Sequence, residues 1–147
     1  MSATLYETDF YAWTQRQAAL LREEEFAEVD WNNLIEEIDS LGNSQQNEVE
    51  SWVLVIIMHL LKWQHQPSKR VTGRSWRKTI AIQRIDLARH LRKNPTLRAR
   101  LPAIIAEVYP DAVKLAAVET GLSRQTFPAE CPWTAIQILD EEFWPAP

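Results

Sequence analysis

Apolar residues recur every three or four positions along most of the chain, the spacing of helices that bury one face. Phe10, Trp13, Leu20 and Leu21 mark a first helix starting near Thr8, whose hydroxyl can cap free backbone amides, and Glu23-Glu24-Glu25 form its solvated end. A second helix starts at Asp30, with Val29 and Leu34 placed as a hydrophobic staple. One stripe then runs through Trp31, Leu34, Ile38, Leu41, Gln45, Val49, Trp52, Ile56, His59 and Trp63. It stays in phase across Leu41-Gly42-Asn43-Ser44, which predicts one long helix over about 31–65, with a helix–turn–helix split at 42–44 as the alternative. From Trp52 to Trp63 only His59 and Lys62 are polar, so this half is expected at the centre of the bundle.

Gln66-Pro67 ends that helix. Ser75 is the expected cap of a third helix over about 76–93, with Trp76, Ile80, Leu87 and Leu91 inward and Asn94-Pro95 as its stop. A short helix is expected after Pro95. The next begins at Pro102, tolerates or bends at Pro110, and stops at Thr120-Gly121, where glycine suits the left-handed terminal position. A loop through Pro128 leads to Cys131-Pro132-Trp133 and a last helix of roughly 133–142. No alternating strand segment, internal repeat or low-complexity stretch interrupts this pattern. The expected fold is all-α: a single-domain helical bundle over 1–147, with a long central helix and short C-terminal helices.

Composition narrows the function classes. The length of 147 residues suits one domain. Three glycines argue against turn-rich β architecture and against a glycine-rich phosphate loop, and a lone cysteine, Cys131, excludes a disulfide framework or a multi-cysteine zinc site. The apolar run Trp52 to Leu61 is too short to span a bilayer. The first residues lack a basic region followed by an apolar one, so no signal peptide, no membrane association and a cytoplasmic location are expected.

The net charge of −4 hides a strong polarity. Residues 1–50 carry 12 acids against Arg16 and Arg22; residues 51–100 carry 12 bases against Asp86; residues 101–147 carry 7 acids against Lys114 and Arg124. Two readings compete for the basic block: a face for nucleic acid or an acidic partner, or bases neutralised by acidic helices beside them. The pI of about 5.4 weighs against a dedicated nucleic-acid domain.

The motifs, taken in order, resemble a known family. Tyr6-Glu7-Thr8-Asp9-Phe10 with Trp13 comes first, then Asp30 with Asn33-Leu34-Ile35-Glu36-Glu37-Ile38. His59-Leu60-Leu61-Lys62-Trp63 with Gln66-Pro67 follows, then Ser75-Trp76 with Thr79-Ile80, and Gln83-Arg84. Asn94-Pro95, Tyr109, Glu119-Thr120, and Phe127-Pro128 with Cys131-Pro132-Trp133 complete the set. Over nearly its whole length the chain resembles the bacterial domain-of-unknown-function family number 29, widespread in cyanobacteria and also found in proteobacteria. The resemblance implies an α-helical fold and no assigned biochemical activity.

Several constellations can carry chemistry. At about 100° per residue, Glu37, Glu48, Val55, His59 and Lys62 share one flank of the second helix. If buried, His59 and Lys62 need carboxylate partners from the first or second helix or from Glu119, and they form either an acid/base pair or a polar network that fixes helix register. Cys131, placed at or just before the cap of the last helix with Pro132 at its first position, is either a lowered-pKa thiolate with His59 as its base or a packed structural cysteine. The spacing of Arg84 and His90 is similar to that of small all-α ribonucleases, although six residues turn them about 120° apart. No Glu-x-x-His pair exists, since Ile56, Lys62 and Leu87 stand three before the histidines, so no metal and no cofactor are expected. Trp76, among bases, either stacks on a nucleotide base or anchors the third helix.

The leading expectation is a non-catalytic interaction module using the basic loop and third helix, residues 69–93, through Lys69, Arg70, Arg74, Trp76, Arg77, Lys78 and Arg84. Its partner is an acidic protein surface, a second copy or, less favoured, nucleic acid. The alternative is a small hydrolase or ribonuclease-like enzyme with His59 and Lys62 as acid/base groups and Glu37 and Cys131 as further candidates.

Overall fold

A computed structural model describes residues 4–72 and 74–146, with the side chains of 70–72 left out. All its regular structure among the described residues is helical: α1 (Leu5–Thr8), α2 (Phe10–Arg22), α3 (Trp31–His65), α4 (Arg74–Lys93), α5 (Pro95–Ala99), α6 (Leu101–Thr120) and α7 (Ala135–Leu139). Short 3-10 turns occupy Phe26–Glu28, Pro67–Thr72 and Arg124–Thr126. The long helix α3 is continuous through Gly42, as the unbroken phase of its apolar stripe requires. The chain divides into two compact units, Met1–Gln45 and Gln46–Pro147.

In the first unit, α2 is capped by Asp9, which accepts from the Ala12 amide at 3.0 Å, and not by Thr8. Thr8 instead belongs to α1 and bonds back to the Thr4 carbonyl. α2 ends with Glu24 at φ 60° and the Glu25 amide on the Leu20 carbonyl, a left-handed termination that usually takes glycine. Asp30 ties α2 to the start of α3: its amide donates to Gln17 Oε1 at 2.7 Å, and its carboxylate accepts from the Trp13 indole and the Asn33 amide. Chiefly the Asn33 bond holds this carboxyl below its ordinary pKa, with the Trp13 bond adding and partial burial opposing. Tyr6, Phe10 and Trp13 form a ring cluster, with Tyr6 and Trp13 centroids 4.8 Å apart.

The second unit is built around the apolar half of α3. Val49, Val53, Ile56, Ile57, Leu60 and Leu61 are fully enclosed, and α4 adds Ile80, Leu87 and Leu91. α6 contributes Ile104, Val108, Ala112 and Ala116, closed off by Phe127, Trp133 and Ile138. Each large aliphatic side chain so buried contributes about 1.5–3 kcal/mol. Pro95 and Pro102 start α5 and α6 where their missing amides cost nothing, and α6 continues through the exposed Pro110. Gly121, at φ 74°, ends it in the left-handed conformation expected of that glycine.

Two further local expectations change. α4 starts at Arg74, so Ser75 lies inside it and is not its cap. The last helix is only Ala135–Leu139, because Thr134 makes a reciprocal capping box with Gln137 and Asp140 leaves helical geometry.

Candidate functional site

The most constrained polar cluster sits on the buried half of α3. Lys62 is 8% exposed, and its ammonium lies 2.5 Å from Glu119 Oε2 on α6 and 4.6 Å from the centre of the Trp76 ring on α4. His59, one turn away and half-buried, bonds through Nδ1 to the Val55 carbonyl at 2.9 Å. Burial pushes its pKa below the ordinary 6.5, and the Lys62 charge adds to this. The Val55 bond and Glu119 oppose it. Burial thus favours the neutral form of the imidazole. Of the four catalytic candidates, the fold joins His59 and Lys62, with Glu119 as the carboxylate partner.

The other two candidates are engaged elsewhere. Glu37 accepts the Tyr6 hydroxyl, and this bond chiefly pushes the phenol's pKa up. Cys131 stands three residues before the Thr134 cap, so neither it nor Pro132 occupies the helix terminus expected of them. Burial pushes its thiol above the ordinary 9.0, the reverse of an activated thiolate, and Sγ donates to the Trp133 carbonyl at 3.5 Å. No hydrogen bond among the described residues joins Cys131 to His59.

Arg84 departs furthest from expectation. It is 1% exposed, so it forms no part of a solvent-facing binding surface. Its guanidinium donates to the main-chain carbonyls of Ile138 at 2.8 Å, Phe143 at 3.0 Å and Gln137 at 3.3 Å, with Trp144 packed against it. Burial lowers its pKa, while Asp140 and Glu141 act in the opposite sense. Arg84 thus pins the C-terminal segment. His90 packs edge-on against Trp52, with Nδ1 4.0 Å from Glu48, so the two residues serve separate contacts and not one ribonuclease-like pair.

Four further members of the basic block lie along the outward side of α4, while Arg98 and Arg100 lie at α5. Arg74, Lys78, Arg89 and Arg92 are exposed and form no ion pair among the described residues. With Ile85 they project within about 60° of one another over roughly 27 Å of helix. Ile82 and Ile85, 44% and 46% exposed, add apolar area to this stripe. Their displacement from the phase of Ile80, Leu87 and Leu91 was the available signal for them. Arg77 leans back, its guanidinium 5.0 Å from the Trp63 ring centre. Trp76 is half-buried, with the Lys62 ammonium over its ring, a contact that anchors α4 to α3. Lys69 is exposed in the loop before α4, and the Arg70 side chain lies outside the described residues.

The second unit also holds an apolar cavity of about 880 Å³, lined by Ile105, Tyr109, Cys131, Trp133 and Ile136 among others. The Tyr109 hydroxyl donates to the Pro128 carbonyl at 2.7 Å, and burial pushes its pKa up to about 12. Nothing in the sequence pattern isolates this cavity, because a non-helical loop forms half of its wall.

Among the described residues, no group of three or more His, Cys, Asp or Glu is placed to hold a metal ion, and no helix is long and apolar enough to cross a membrane. No curated protein and no solved structure matches the chain. A family model does match, over residues 5–144 and so nearly end to end. The chain belongs to the family described as Domain of unknown function DUF29.

Proposed function

We propose that the chain is a non-catalytic interaction module that docks an acidic protein surface on the outward side of α4. One observation carries this reading: Arg74, Lys78, Arg89 and Arg92 share a stripe with two exposed isoleucines and form no ion pair among the described residues. Bases elsewhere in the same unit, Lys62, Arg77 and Arg84, are held by internal partners. A mixed basic and apolar stripe supports a protein partner, since apolar area adds affinity while the charges steer encounter and select the partner. The test is fluorescence anisotropy with a labelled acidic peptide and a labelled single-stranded RNA, on the wild type and the Lys78→Glu/Arg89→Glu variant. The reading expects peptide binding by the wild type that is at least about tenfold weaker in the variant. Binding of RNA alone, or of neither probe at low salt, overturns it.

A second reading, a small hydrolase or ribonuclease-like enzyme with His59 and Lys62 as acid/base groups, draws on the depressed pKa of His59 beside the Lys62–Glu119 pair. It expects turnover of a phosphodiester or ester substrate that His59→Gln abolishes.

A further inference from the structure

The first unit leaves an apolar face uncovered. On the N-terminal part of α3, Trp31, Ile35, Ile38 and Leu41 are 48%, 55%, 59% and 65% exposed. Beside them a cavity of about 350 Å³ opens between α2 and α3, lined by Phe10, Trp13, Leu21, Leu34, Ile38 and Leu41, with Glu37 the one ionisable group in its wall. A contiguous apolar patch of this kind marks a place where another surface sits.

Charge narrows what that surface is. Residues 1–45 hold ten acidic residues against Arg16 and Arg22, a formal charge of −8. Two such units meeting face to face would oppose like charges across the whole interface, which disfavours the symmetric pairing. The fitting occupant is a helix with apolar side chains set among bases. The outward stripe of α4 has that composition, with Ile82 and Ile85 among Arg74, Lys78, Arg89 and Arg92, and residues 46–147 carry a formal +4. At roughly 30 Å, α4 is long enough to run the whole length of a groove set by α2, which spans roughly 20 Å.

We infer that the groove between α2 and the N-terminal part of α3 takes α4 of a second copy of this chain. This rests on the reading of α4 as a docking face. The contact is heterologous, groove to helix, so each added copy leaves one groove and one α4 open, and assembly continues until a ring closes. Attraction between opposite formal charges makes it weaken with salt.

Sedimentation of the full chain at low and high salt, about 50 and about 500 mM, tests this with two variants. Ile38→Glu/Leu41→Glu spoils the groove at side chains already more than half exposed, and Lys78→Glu/Arg89→Glu spoils α4. Circular dichroism checks that both fold. The wild type is expected to associate beyond a monomer at low salt, with dissociation roughly tenfold or more easier at high salt. Each variant alone is expected to be monomeric, and an equimolar mixture to form a dimer and nothing larger, because only one intact groove and one intact α4 remain to meet. A groove variant that associates like the wild type overturns the inference and leaves the α4 reading standing. An α4 variant that does so also overturns the inference, and loss of acidic-peptide binding by that variant then decides the α4 reading separately. A monomeric wild type at low salt, or a mixture that stays monomeric, overturns the head-to-tail contact alone, since acidic-peptide binding tests α4 separately.

Discussion

Lys62 Nζ lies 2.5 Å from Glu119 Oε2, joining a lysine side chain 10% exposed to a carboxylate 47% exposed. The asymmetry decides what each deletion does. Glu119→Ala strands an ammonium inside the core, whereas Lys62→Met fills the same space with an apolar chain and leaves a carboxylate that water can reach. Urea unfolding is expected to show a loss of about 2 kcal/mol for Glu119→Ala, reduced from the fully buried case because the partner is half in solvent. Lys62→Met is expected to cost about 1 kcal/mol or less. Equal losses, or a larger one for Lys62→Met, contradict this account of the pair.

His59 makes stability depend on pH. Its pKa is lower in the folded chain than the ordinary 6.5, so the unfolded chain binds the extra proton first. The penalty is absent above 6.5, grows as pH falls below it, and is complete below the folded value. Wild-type unfolding free energy is therefore expected to drop between pH 7 and about pH 5 by more than that of His59→Gln, which has no group to titrate. Parallel pH profiles would show that His59 is not shielded from protons in the native state.

Arg84 holds three carbonyls that no shorter side chain can reach together. Arg84→Lys keeps the charge but not the planar fork, so it is expected to destabilise nearly as much as Arg84→Met, by about 3 kcal/mol or more. Amides from Gln137 to Trp144 are expected to exchange faster in both variants, reported by hydrogen exchange. Normal protection there would mean that the C-terminal segment is held by its apolar contacts alone.

Gly42 sits in an exposed turn of α3, and a β-carbon added there meets nothing within 4 Å. Gly42→Ala is expected to raise stability by about 0.5–1 kcal/mol through helix propensity. A loss on thermal or urea unfolding would mean that the backbone leaves helical geometry at this point.

Much of this was legible in the chain, and the residues that were not share a physical reason. Continuity of α3 followed from one apolar phase running through Gly42, and the end of α6 from Gly121, because both are local properties. The same phase put Trp31, Ile38 and Leu41 on an inward stripe, yet they are exposed. Periodicity names a face and says nothing of whether another element covers it. Arg84 falls within about 60° of Ile80, Leu87 and Leu91, so its position signalled burial. Its charge signalled the surface, and only the carbonyls of a distant segment, 53 to 59 residues on, resolve the conflict. Glu119 was among the possible partners of Lys62, but choosing it needed the packing of α6 against α3. Cys131 was misplaced because Thr134, and not the Cys-Pro pair, makes the capping box.

The central claim is that the outward stripe of α4 binds an acidic protein surface, and the salt dependence of acidic-peptide binding tests it most directly. The wild type is expected to bind at low salt and to weaken steadily as salt rises, since each exposed base adds a screened attraction. The Lys78→Glu/Arg89→Glu variant is expected to bind at least about tenfold more weakly at low salt, with a flatter salt response. Equal affinity and an equal salt response in the two proteins would contradict the claim.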